Sequence, residues 1–514
     1  MEHLETILRR AAAIGCNGVV LTEYSFNRPG PVSPSDRARA DRVKHLAAEL
    51  GIEIIPTVFS PKTLLLMDAN LAEGLPVRNA LYVVRDGVAR LQPDPLVRLN
   101  NPGFEDGPAE SPSGWLMRTS GGIRVRADTT VSRSGSRSLQ IVGPDSGNAR
   151  VDLSQGLDVS PFRQYHVSLY ARTKGFADKT ALQAWVSGSD DRLLNYPRWS
   201  LSPDAGWTRL DCTFDSLANR RVTLRLSAVR PRGTLWIDAV SVEETGFVNL
   251  LRRPGCPLTV TDGSTVYVEG KDYERVTDPG LGRTPRPGAF ADYHTPPDGI
   301  RLTASSRIGP SARLRVSYYY CPVIYGVRVT QCLTEPAADD LMQREARRVQ
   351  DLLSPTTWMM SHDEMRVMNQ CEACRRRGMT PGELLADNVR RCAAIVRGIN
   401  PKARLAIWSD MFDPAHNARD NFYLVNGSLS GSWNGLPADI TIVNWNSIAP
   451  AASLRWFANR GFHQVIAAYY DEPLDKAAAW LQAARGVKGI DGIMYTTWQD
   501  DYKDLEAFAR LVWQ

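Results

Sequence analysis

Continuous apolar strands alternate with helices at both ends of this chain, and a long block of short, alternating β-segments separates the two ends. That interruption limits the available folds more than any other feature. Near the start, Leu4, Ile7, Ala11 and Ile14 have helical spacing, and Gly15 closes the run before an apolar strand over 18–23. Val43, Leu46, Ala47 and Leu50 mark a second helix, stopped by Gly51, and 52–58 is again apolar. From about residue 312 the same texture resumes, with strands expected at 314–320, 358–361, 405–408, 440–444, 465–470 and 493–497. Apolar strands joined through helices imply a parallel sheet covered on both faces. The eight strands predict an α/β fold, a (β/α)8 TIM barrel interrupted by an inserted all-β sandwich. A ninth strand ahead of residue 1 would move 314–320 into the insert.

The expected organisation is a first barrel segment over 1–97, a β-sandwich over 98–246, a β-hairpin-rich insert over 247–312 and the rest of the barrel over 313–514. Segments such as 165–170 and 222–226, divided by Gly, Ser, Pro and Asp, read as sandwich strands, and Asp262-Gly263 as a hairpin turn. With 514 residues, 43% hydrophobic and 23% charged, the chain is long and apolar enough for several cores. Its 61 basic and 56 acidic residues leave +5, too thin an excess for a nucleic-acid partner. No run reaches the roughly 18 apolar residues of a membrane span. The opening MEHLETILRR lacks a secretory core, so the chain as written reads as cytoplasmic, and a removed leader would make it extracytoplasmic. The 8 cysteines are too sparse for a disulfide scaffold. Cys371 and Cys374 form a C-x-x-C without a second ligand pair, leaving structural zinc or buried thiols as readings, and Cys392 lies on the apolar stripe Leu385, Val389, Cys392, Val396.

Barrel enzymes carry their chemistry at the C-terminal ends of strands. Those ends hold Glu23, His362-Asp363-Glu364, Trp408 with Asp410, Asn444-Trp445-Asn446, Tyr470-Asp471-Glu472 and Trp498. Aromatic rings beside carboxylates and amides suit sugars, whose C–H faces stack on indole and whose hydroxyls need directional partners. A polar rim without a ligand is the plainer alternative. Asp363-Glu364 is the sharpest element, because two adjacent carboxylates push one another's protonation upward, as a general acid requires. Simple placement at a helix N-terminus would explain the same pair. The long loop 413–434, with Tyr423, Asn426 and Trp433, is expected to shape the same face.

The openings Asn101-Pro102-Gly103-Phe104-Glu105 and Gly114-Trp115, the run 134–139 and the closing Trp236-Ile237-Asp238-Ala239-Val240 resemble a jelly-roll carbohydrate-binding module. The resemblance implies a structural calcium held by Glu105 and Asp238, and a sandwich spacer is the alternative. Gly51-Ile52-Glu53-Ile54-Ile55-Pro56 and Asp363-Glu364 resemble the third-strand motif and catalytic pair of family-20 β-N-acetylhexosaminidases. That resemblance implies a glycoside hydrolase releasing a 2-acetamido sugar, exo-acting, retaining and substrate-assisted. Glu364 would be the acid/base and Asp363 the acetamido orienter, with Tyr470, Trp408, Trp445 and Trp498 around the sugar. Ser361-His362 replaces the family's glycines, and Thr57 its glutamate. Two other readings stand beside it. One is a two-carboxylate retaining glycosidase with Asp471 or Glu472 as nucleophile. The other is a non-catalytic glycan-binding protein. The expected partner is an oligosaccharide, polysaccharide or glycoconjugate. No redox cofactor is expected, since no glycine-rich nucleotide loop follows a strand.

Overall fold

A computed structural model describes residues 2–177, 181–325, 329–471 and 473–513. The chain divides into two compact units, the first comprising Met1–Leu71, Thr330–Asn369 and Ala373–Gln514, the second Ala72–Val329 with Gln370–Glu372.

The first unit is built on seven parallel strands: β1 (Gly18–Leu21), β2 (Glu53–Val58), β3 (Thr357–Met360), β4 (Arg404–Trp408), β5 (Thr441–Asn444), β6 (His463–Tyr470) and β7 (Ile490–Thr496). They hydrogen-bond in sequence order. Helices precede or join them: α1 (Glu2–Ala13), α2 (Pro34–Leu50), α3 (Pro336–Leu353), α4 (Pro381–Ile399), α5 (Pro450–Ala458), α6 (Asp475–Ala484) and α7 (Leu505–Val512). Four of these starts combine a proline in the first turn with the fixed φ a helix needs, and Ser33 and Thr380 close capping boxes on α2 and α4. Along α3, Met342, Ala346, Val349 and Leu353, spaced 4-3-4 in the sequence, lie on the buried face, as helical periodicity requires. Cys392 lies on the buried stripe of α4 as its spacing indicated.

The closed eight-stranded barrel is corrected here. The hydrogen-bonded order ends at β1 and β7, with no pairing between them among the described residues. The third expected barrel strand, 314–320, falls in Arg313–Tyr320, which runs antiparallel to Leu75–Arg85 in a six-stranded sheet of the second unit. Its burial alternates, with Arg313 and Arg315 exposed and Leu314 and Val316 buried. A strand buried on both faces reads as a continuous apolar run instead. Among the described residues, antiparallel sheets hold most of the strands.

The second unit contains three antiparallel sheets. Two have five strands each and together carry the sandwich block, with half-buried strands such as Arg150–Asp158. The six-stranded sheet takes in Leu75–Arg85 and Val88–Leu91, residues expected with the barrel, together with the hairpin Thr259–Thr261 and Val266–Tyr267. Asp262 makes that turn by accepting from the Ser264 and Thr265 N–H groups, and Gly263 supplies a positive φ of 102°.

Candidate functional site

The segment after β3 turns sharply, with Glu364 in the left-handed region at φ 50°. It is tied down at once, because Val367–Met368 pairs in parallel with Leu424–Val425 from the loop after β4. That pairing sets Arg366, whose guanidinium lies 5.3 Å over the Tyr423 ring and 2.6 Å from Glu364 Oε1. The Glu364 side chain keeps 27% of its surface exposed, whereas Arg366 is buried.

Asp410, fully buried after β4, organises the centre. Its Oδ2 accepts from the Glu364 N–H at 2.8 Å and from Asn417 Nδ2 at 2.9 Å, and its Oδ1 accepts from Trp445 Nε1 at 3.2 Å. Burial, aided by the Glu364 charge, pushes the Asp410 carboxyl up to about 6 against the pull of these donors. The His416 ring meets Trp445 edge-on at 4.4 Å, and burial pushes its imidazole down. Trp408 is buried in a cluster with Met359, Val443 and Ala467, against which Trp445 packs. On its other side it meets Trp498, ring centres 6.2 Å apart, whose own surface is 55% exposed.

Several expected substrate ligands are committed elsewhere. Asn444 Nδ2 donates to Ser453 Oγ at 2.8 Å and to Gln464 Oε1 at 3.1 Å, pinning β5 to α5 and β6. Asn446 Nδ2 donates to Asp413 Oδ2 at 3.1 Å while its Oδ1 accepts from the Ala449 N–H ahead of α5. Asp471 accepts from Thr497 Oγ1 at 2.5 Å and from the Trp498 N–H at 2.7 Å, so both oxygens hold the loop after β7. Glu23 is exposed and accepts from the Ser25 N–H in a local turn. Asp363 is half-buried beside Glu364. Tyr470 closes β6, and Glu472 lies outside the described residues. In the long loop, Trp433 packs on Trp456 of α5 and Asn426 donates to the Asn369 carbonyl.

His362 is buried, with its Nε2 3.1 Å from Asn388 Oδ1 on α4. Burial takes its imidazole down to about 4 from an ordinary 6.5. Between those values the unfolded chain binds the extra proton, so stability is full above 6.5 and is lost as pH falls towards 4. The slope for one proton is about 1.4 kcal/mol per pH unit. Urea unfolding at pH 7, 6 and 5 is expected to show this acid loss in the parent and a flatter profile in His362→Gln, which keeps a polar partner for Asn388. An unchanged profile in the variant would assign the acid loss to other groups.

Arg366 lies outside every motif read from the sequence, whereas His416 and Asn417 belong to the loop 413–434 expected to shape this face. The repeated polar spacing Asp410, Asp413, His416, Asn417 was the available signal.

In the second unit Asp238 is buried, and its Oδ2 accepts from the Arg133 and Ser134 N–H groups while Oδ1 accepts from Ala239. Glu105 accepts from the Ser136 N–H and Oγ and from the Arg137 N–H, which hold its carboxyl below the usual range, the Ser136 hydroxyl most of all. Gly135 is forced here, since a Cβ would sit 2.0 Å from Glu105 Oε1. Calcium takes six to eight oxygen ligands. These carboxylates instead face N–H and O–H donors of Arg133, Ser134, Ser136, Arg137 and Ala239, so the donor set does not fit the ion that the resemblance implies.

No protein-family model matches the chain, and no curated protein matches it. Among solved structures it is similar over 29% of its length to the enzymatically active domain of tailspike protein 4 of bacteriophage CBA120, at 13% identity and a TM-score of 0.25, spanning 22% of that chain. A family-61 carbohydrate-binding module solved with β-1,4-galactotriose matches over 29% of this chain and 99% of its own, at 17% identity and a TM-score of 0.24. The CBM22-1 xylan-binding domain of Paenibacillus barcinonensis Xyn10C matches over 28% and 90%, at 16% identity and a TM-score of 0.21. None of these three is a family-20 hexosaminidase.

Proposed function

We propose that the protein binds a glycan at the C-terminal ends of β3–β7. The observation that carries this reading is Trp498, an indole more than half exposed yet fixed by Asp471 at its backbone and by Trp408 at its ring. An exposed indole held in place in this way offers a flat apolar face, and the C–H face of a pyranose is a natural cover for it. The partly exposed Glu364 carboxylate and the His416 ring supply the directional partners that hydroxyls need.

Calorimetric titration with soluble gluco-, galacto-, xylo- and N-acetylglucosamine oligomers tests the proposal. Saturable binding to at least one series is expected, weakened about tenfold or more in Trp498→Ala, as for a central aromatic contact. Binding by none of the four, or equal affinity in the variant, would overturn it.

Hydrolysis at the same site is the second reading, favoured by one observation: the buried Asp410 carboxylate holds the N–H of the partly exposed Glu364 at 2.8 Å. Glu364 would then be the acid/base, and in the finer version Asp363 would orient a 2-acetamido group. Nitrophenyl glycosides, including the N-acetylglucosaminide and N-acetylgalactosaminide, separate the two. Turnover by the parent that falls about 100-fold or more in Glu364→Gln supports catalysis. A parent without turnover on any of them leaves binding alone.

A further inference from the structure

Outside the strand-end site, the first unit contains a sulfur pair that neither reading uses. Cys332 lies in the segment before α3, where its N–H donates to the Leu71 carbonyl at 2.8 Å. Cys374, the second cysteine of the C-x-x-C, lies in the short helix Glu372–Arg375. Both are buried, and their sulfurs stand 3.6 Å apart. The Thr334 hydroxyl closes a triangle, 3.5 Å from Cys332 Sγ and 3.3 Å from Cys374 Sγ.

We propose that Cys332 and Cys374 are ligands of a thiophilic divalent metal ion of the zinc class. Two thiolates on one tetrahedral ion, each about 2.3 Å from it, stand roughly 3.8 Å apart, close to the spacing seen here. A disulfide instead requires about 2.05 Å, and none of the eight cysteines forms one. Thiolate sulfur also needs a hydrogen-bond donor nearby when buried, and the Thr334 hydroxyl stands within reach of both. Binding releases the two thiol protons to solvent and changes no oxidation state. The ion would tie the segment before α3 to the segment before α4, so its role is to stabilise the fold and not to act on substrate.

The test uses the full chain, expressed with zinc and purified under reducing conditions. Elemental analysis should give about one zinc per chain in the parent, and about a tenth of that or less in Cys332→Ser and in Cys374→Ser. Cobalt(II) exchanged into the parent should show thiolate charge-transfer absorption that each variant loses. Cys212→Ser, in a sandwich strand of the second unit, should keep both signals. Should a serine variant fail to fold, chelator on the parent still decides: release of zinc with a lowered melting temperature supports the site. A chain free of zinc, a Cys332–Cys374 disulfide in non-reducing mass spectra, or full zinc in either variant would overturn it.

Discussion

Replacing Asp410 with alanine is expected to destabilise the protein by about 3–5 kcal/mol, the range for stripping a buried, multiply bonded charge from its donors. Three donors lose their acceptor together: the Glu364 N–H, Asn417 Nδ2 and Trp445 Nε1. Each belongs to a different segment, so the turn after β3, the loop after β4 and the end of β5 are released at once. Asp410→Asn keeps the shape and an acceptor oxygen but gives up the second, and should cost a fraction of that. Urea unfolding of the two variants beside the parent measures the difference. Glycan binding should fall in the alanine variant even at temperatures where it remains folded, because Glu364 and Trp445 would no longer be positioned. Equal stability of parent and alanine variant would mean that Asp410 does not organise the site.

A loss of similar size is expected for Arg348→Met. The Arg348 guanidinium, buried on α3, donates to the Ser25, Phe26, Gly30 and Pro31 carbonyls and to Asp36 Oδ2 at 2.7 Å. One side chain thus holds four carbonyls of the connection between β1 and α2. Methionine matches only its aliphatic stem and offers no donor, so the buried Phe26 carbonyl and the Asp36 carboxylate lose this partner, and about 3–5 kcal/mol is again the scale. The substitution should also alter acid behaviour. Arg348, more than Ser33 or Arg39, holds the Asp36 carboxyl well below the usual carboxylate range. Stability from that lowered group is complete above the ordinary value of 3.8 and is lost as pH falls below it, so the variant should show a smaller acid loss. Unfolding free energies at pH 7 and pH 3 read both effects, and an unchanged midpoint at pH 7 would contradict the first.

The strand-end placement of the candidate residues was legible in the sequence, and their partners were not. Asp363-Glu364, Trp408, Trp445 and Trp498 do gather at strand ends, because an apolar run followed by polar and aromatic residues marks where a buried strand meets solvent. The same pattern could not distinguish residues that face a ligand from those that knit loops together. Asn444, Asn446, His362 and Asp471 sit at equivalent positions yet turn to neighbours in the fold. Nor was Asp410 recognisable as the partner of Glu364, since 46 residues separate them.

The sequence by itself determined the local elements: seven apolar strands with their helices, and the sandwich block with its alternating faces. Periodicity and capping act within a few residues, so they can be read along the chain. Tertiary structure alone decided that the larger parallel sheet has seven strands among the described residues, and that Arg313–Tyr320 joins an antiparallel sheet with Leu75–Arg85. Strand partnership depends on backbone hydrogen bonds between distant segments, and those bonds are blind to side-chain identity. The direction of each polar side chain was decided at the same level, by whichever donor or acceptor the completed packing brought within reach.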